Sequence, residues 1–163
     1  SYSIAKRHSE IYLKYCAEKY KLNISVVRPF NIYGKNQDER MVIPRFLSRA
    51  KKNLPLKIYE KGNQTRDFTY IDDFIKCLLK LKKNKNYNIF NIARGKQTSI
   101  LKLAKMIIKL TKSKSKIRFQ DTPKSIQEFQ IKKRCGNSKK FFLKYNYRPD
   151  TNIKRGIKSI LNL

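Results

Sequence analysis

Short runs of β-branched and aliphatic residues recur along this chain, and between them apolar residues fall three and four apart. Ile24-Ser25-Val26-Val27, Leu56-Lys57-Ile58-Tyr59, Phe68-Thr69-Tyr70-Ile71 and Ile89-Phe90-Asn91-Ile92 have the length and composition of strands. Residues 2–21 read as a helix with a stripe of Ile4, Ile11, Tyr12 and Tyr15. Val42 to Lys52 reads as a second helix, with Pro44 tolerated in its first turn. A third runs to about Leu81 from a cap at Asp72 or Asp73, and a fourth starts from Thr98 or Ser99. In the fourth, Leu101, Ala104, Ile107, Ile108 and Leu110 are the expected buried face. Ile117–Phe119 adds a strand, and 138–144 and 152–161 two short helices. Strands alternating with helices predict an α/β fold rather than a bundle or sandwich. The parallel-sheet phase is clearest over residues 1–34 and 66–110, with 35–65 and 111–163 as a smaller α/β part.

Composition narrows the functions. With 40% hydrophobic and 12% aromatic residues the chain can bury a core. No apolar run approaches the ~20 residues that span a bilayer, so no membrane segment is expected. Cys16, Cys77 and Cys135 are odd in number and far apart, which suits reduced thiols and a cytoplasmic setting. The single histidine, His8, argues against a histidine metal site. A net charge of +29 invites a nucleic-acid reading, but the lysines are scattered among Asn and Ile. No zinc-finger spacing, RNA-recognition signature or basic zipper accompanies them, so no specific nucleic-acid function is expected. Affinity for anionic ligands in general is expected.

Tyr2-Ser3-Ile4-Ala5-Lys6 places a phenol and an ammonium four residues apart on one helical face. The ammonium favours the phenolate, which lets a tyrosine act as a general base near neutral pH. The same spacing recurs at Tyr15–Lys19, so the pattern alone is weak. Its context is stronger: the strand at Ile24 runs into Arg28-Pro29-Phe30-Asn31-Ile32-Tyr33-Gly34. There follow Val42-Ile43-Pro44-Arg45-Phe46, the Leu56–Tyr59 strand, and Arg66-Asp67-Phe68-Thr69-Tyr70-Ile71-Asp72-Asp73. In order and spacing this series resembles the NAD-dependent epimerase/dehydratase family of extended short-chain dehydrogenases/reductases. Similarity continues through Tyr87–Ala93 and Ser138-Lys139…Tyr147-Arg148-Pro149…Gly156, so it covers essentially the whole chain.

The resemblance implies the C-terminal part of a Rossmann-like parallel sheet plus a small substrate-binding subdomain. It implies NAD as cofactor and a nucleotide-diphosphate sugar as substrate, with UDP-glucose 4-epimerase as the expected type. Tyr2 would be the catalytic base, Lys6 would hold the nicotinamide ribose, and the backbone at Pro29 would lie against the nicotinamide. Asn31 would bind the substrate diphosphate or sugar, although a turn role is an alternative. Val42, Ile43, Lys57 and Tyr59 fall where the family packs the nucleobase, and Arg66 where it contacts the phosphates. The family's second phosphate ligand is degenerate here, with Arg134 and Lys124 as stand-ins. A homodimer through the Tyr2–Tyr20 helix is also implied.

The 163 residues contain no glycine-rich dinucleotide motif, which in the family precedes Tyr2. The expectation is therefore a C-terminal half that binds NAD poorly by itself and leaves a sheet edge open. Alternative readings are a dehydratase or decarboxylase fragment, or a non-catalytic remnant that binds nucleotide sugars or polyanions.

Overall fold

A computed structural model describes residues 2–127 and 131–163. Helix α1 (Tyr2–Lys19) leads into strand β1 (Ser25–Pro29), followed by the short β2 (Ile32–Tyr33). Helix α2 (Val42–Lys51), β3 (Leu56–Tyr59), β4 (Thr65–Asp67) and β5 (Thr69–Tyr70) come next. Then come α3 (Ile71–Lys80), a single 3-10 turn at Leu81–Lys83, β6 (Asn88–Ile92), β7 (Gln97–Ser99) and α4 (Ile100–Leu110). The chain closes with β8 (Ile117–Gln120), α5 (Lys124–Gln127), α6 (Lys139–Tyr145) and α7 (Ile153–Leu161).

The strands pair in twos. β1 lies parallel to β6, β2 to β5 and β3 to β8, whereas β4 and β7 are antiparallel. The α/β class and its parallel pairing are as the sequence predicts. Strand β1 has β6 on one side and no strand on the other among the described residues.

Two apolar clusters hold these pairs. The larger gathers Phe46 and Ile43 of α2, Leu56 and Ile58 of β3, Leu103 and Ile107 of α4, and Ile157 of α7. The smaller joins Cys77 of α3, Phe90 and Ile92 of β6, and Phe141 of α6. Alternation on β3 explains its place in the first: Leu56 and Ile58 point inward, while Lys57 and Tyr59 point away.

Three details correct the sequence reading. Phe68–Ile71 is not one strand: Phe68 separates β4 from β5, and Ile71 already belongs to α3. Asp72 and Asp73 do not cap α3, because Tyr70 holds the N-cap position and both carboxylates fall in the first turn. On α4 the buried face is Ile100, Leu103, Ala104 and Ile107, with Leu101, Ile108 and Leu110 half-buried around it. Ser99 does cap α4, its hydroxyl accepting from the backbone N–H of Lys102 at 3.2 Å.

Candidate active site between helix α1 and strand β1

Tyr2 and Lys6 stand one helical turn apart at the start of α1, with the Lys6 ammonium 5.6 Å from the Tyr2 ring centroid. Lys19 makes the same approach to Tyr15, at 5.3 Å, so this contact does not distinguish the two pairs. The surroundings do. Tyr2 and Lys6 line a cavity of about 560 Å³ whose far wall is Val26, Val27, Arg28 and Pro29 of β1. Glu10 and Leu13, one and two turns further along α1, close its floor.

The approach of α1 to β1 is fixed by Glu10. Arg28 donates to both of its carboxylate oxygens, from Nε at 2.7 Å and from Nη2 at 2.5 Å. Two parallel N–H···O bonds define direction as well as distance. The Tyr87 hydroxyl, one residue before β6, adds a bond to the Glu10 backbone carbonyl at 2.9 Å. The Arg28 hydrogen bonds hold the Glu10 carboxyl below its ordinary range and push the Arg28 guanidinium up. Nothing in the sequence patterning singled out this pair, because its members lie 18 positions apart.

Asn31 has a positive φ of 31° and donates from its side-chain amide to the Asp67 carbonyl at 3.1 Å. Its backbone carbonyl accepts from the N–H of Thr69 at 3.3 Å. These bonds tie the Arg28–Gly34 segment to the Arg66–Asp73 segment.

The two buried aspartates of that second segment gather distant loops. The Asp67 carboxylate accepts from the backbone N–H groups of Gly95 at 2.9 Å and Gly136 at 3.0 Å. Asp73 accepts from the N–H groups of Asp150 at 3.1 Å and Thr151 at 2.8 Å. A carboxylate can satisfy several orphan donors at once, which is why each sits where a loop turns back.

Arg66 points its guanidinium at the carbonyls of Thr65 and Ile131, both 2.8 Å away. Burial and then the nearby Arg134 lower its pKa, so two guanidinium groups share one region. Arg134 is also fastened to β4, its backbone N–H donating to the Thr65 carbonyl at 3.3 Å. Lys124, the other stand-in, is exposed at the start of α5.

Lys57 and Tyr59 line a second cavity of about 170 Å³ with Arg45, Phe46 and Arg49 of α2 and Gln120 of β8. Val42 and Ile43 do not join it. Ile43 is a core residue, 1% exposed, and Val42 packs half-buried against the same core. The fold thus brings together Tyr2, Lys6 and Pro29, and separately Lys57 and Tyr59. Asn31 and Arg66 line neither cavity. Among the described residues no cluster of three or more His, Cys, Asp or Glu could hold a metal ion, and no helix is long and apolar enough to cross a membrane.

Comparison with known proteins converges on one family. The profile of the NAD dependent epimerase/dehydratase family matches residues 1–93. A UDP-glucuronate 4-epimerase of Thermodesulfobacterium geofontis is 31% identical over 162 residues, covering 99% of this chain and 49% of the relative. The dTDP-D-glucose 4,6-dehydratase of Bos taurus is 37% identical over 112 residues, covering 68% of this chain and 32% of the relative. Among solved structures, the UDP-glucose 4-epimerase of Thermotoga maritima with UDP-glucose superposes with a TM-score of 0.91 at 26% identity. That match covers 99% of this chain and 52% of the epimerase. The chain therefore spans about half the length, or less, of the relatives it matches.

Proposed function

This chain belongs to the NAD dependent epimerase/dehydratase family, and from that premise we propose that it is the C-terminal half of a nucleotide-sugar 4-epimerase of the UDP-glucose type. The observation that carries the proposal is the cavity that Tyr2 and Lys6 share with Pro29. Its residues suit a nicotinamide nucleoside: Val26, Val27 and Pro29 give the strand wall apolar surface beside the paired Arg28, and the helix wall offers a phenol and an ammonium.

In this reading Tyr2 takes the proton from a sugar hydroxyl. Lys6, four residues on, donates to the ribose hydroxyls beside the tyrosine. Pro29 has no N–H to hydrate, so a flat ring can lie against its backbone. NAD, held by Lys6 and the backbone at Pro29, would supply the hydride acceptor for this chemistry. Arg66 and Arg134 hold the substrate's diphosphate, and Lys57 and Tyr59 flank its nucleobase. Residues 1–34 and 66–110 form the Rossmann-derived part, and 35–65 and 111–163 the substrate part. The exposed stripe of α1 is the face that a second copy would cover.

The test joins this chain to a glycine-rich N-terminal half and follows UDP-glucose/UDP-galactose interconversion. Tyr2→Phe is expected to lose at least about a hundredfold in rate, the lower end of what a positioned base contributes. Equal rates for the two proteins would sink the assignment.

The dehydratase reading is favoured by the bovine relative, which has the higher identity of the two, though over a shorter stretch. Release of water from dTDP-glucose without interconversion of the UDP-sugars would decide for it.

A further inference from the structure

Helices α3 and α6 both pack against the β6 residues of the smaller cluster, and a groove of about 780 Å³ lies between the end of α3 with its 3-10 turn and the end of α6. Its walls are two leucines, Leu79 of α3 and Leu143 of α6, which are 55% and 70% exposed. Lys76, Lys80, Lys83 and Lys144 also line it, and no acidic residue does. Among the described residues none of these four lysines joins an ion pair.

Two of the ammonium groups are held in place without being neutralised. Lys80 sits 5.2 Å from the Tyr147 ring centroid. Lys144 sits 5.6 Å from that of Phe90 and donates to the Asn84 side-chain carbonyl at 2.7 Å. Burial, and then the charge of Asp73, pushes the Tyr147 phenol up to about 12, so it remains a neutral donor at the rim.

We propose that this groove binds an anionic amphiphile, a molecule with a phosphate or carboxylate head and an aliphatic tail. The lysines select the head as point charges, and the leucines take the tail. A nucleotide fits less well. Of the two tyrosines that line it, Tyr145 packs tilted against Phe141 with ring centroids 4.8 Å apart, and Tyr147 has the Lys80 ammonium over its ring, so neither is set out as an open stacking platform. The scattered lysines elsewhere would bind any anion weakly; the paired exposed leucines are what distinguish this place. The inference does not depend on the epimerase reading, since no residue of the Tyr2 cavity takes part.

Calorimetric titration with decyl phosphate, below the concentration at which it forms micelles, tests the assignment on the chain itself. Saturable binding of one molecule is expected. Leu79→Ser with Leu143→Ser should weaken it about tenfold, because two aliphatic contacts are lost. Lys80→Gln with Lys83→Gln should weaken it by a similar factor. Lys102→Gln with Lys105→Gln, the same charge change on α4, should leave it unaltered. Equal affinity for inorganic phosphate, or for uncharged decyl maltoside, would overturn the proposal. So would an equal loss in the α4 control, or binding to phosphatidylglycerol vesicles with none to the free amphiphile.

Discussion

Helices α1 and α4 are both amphipathic on paper, and the fold treats them in opposite ways. α4 buries four of its 11 residues against α2, β3 and α7. α1 has 18 residues, and Ala17 is its one buried position. Its apolar stripe of Ile4, Ile11, Tyr12 and Tyr15 stays more than half exposed. The part of the chain that would hold sugar and nucleobase is thus closed by its own core. The part that carries the proposed base is attached mainly by polar bonds. A helix with this much bare apolar surface has the form of an element that packs against a further partner.

The sharpest way to break this contrast is a pair of truncations. Leu103→Ala on α4 should cost about 2–5 kcal/mol in urea unfolding, since it opens a cavity in the larger cluster. Ile11→Ala on α1 should cost less than about 0.5 kcal/mol, the usual range for an exposed site. Comparable losses at both positions would show that α1 is packed after all.

Next in size is the clasp formed by the buried aspartates. Asp67→Ala strands the N–H groups of Gly95 and Gly136, and a loss of about 3 kcal/mol is expected from two bonds to a charged acceptor. Amide exchange at Gly95 and Gly136 should rise together, which a general loosening of the core would not single out.

That clasp also marks the boundary of what the sequence discloses. Strand and helix positions were readable because burial imposes periods of two and of about four residues, and Leu56–Tyr59 and Ile89–Ile92 follow the first closely. The pairing of Tyr2 with Lys6 was readable for the same reason, as i and i+4 share a helix face. Contacts across long separations carry no such period. Asp67 reaches residues 95 and 136, Asp73 reaches 150 and 151, and Glu10 reaches Arg28. Each looks in one dimension like an ordinary surface charge or helix cap. The fate of the α1 stripe was equally hidden: periodicity shows that a face is apolar and is silent on what covers it.

A smaller effect probes the tether on the loosely packed side. The Glu10 carboxyl lies below its ordinary value of 4.5 in the folded chain, so its pair with Arg28 stabilises the fold above that pH. The contribution is lost as pH falls through the lowered folded value. Glu10→Gln should cost no more than about 1 kcal/mol at pH 7, because Arg28 is half exposed. It should also flatten the stability curve below about pH 4.5, where wild type and variant converge. Parallel curves across the acid range would mean that the pair contributes nothing to holding α1.

The smallest effect tests the tightly packed side at its weakest atom. The Tyr33 hydroxyl is buried in the larger cluster with no hydrogen-bond partner among the described residues. Burial, more than any nearby charge, pushes its pKa up from the ordinary phenol value, and the atom is dehydrated without compensation. Tyr33→Phe should therefore be neutral or gain up to about 1 kcal/mol, unlike any other change within that cluster. Gly156 lies against the same atom: a Cβ built there would stand 2.1 Å from the Tyr33 oxygen. Gly156→Ala should cost about 1–3 kcal/mol through overpacking, and Tyr33→Phe should recover part of that cost. Independent, additive effects of the two changes would show that α7 yields around the ring, and that the closed core is softer than its burial implies.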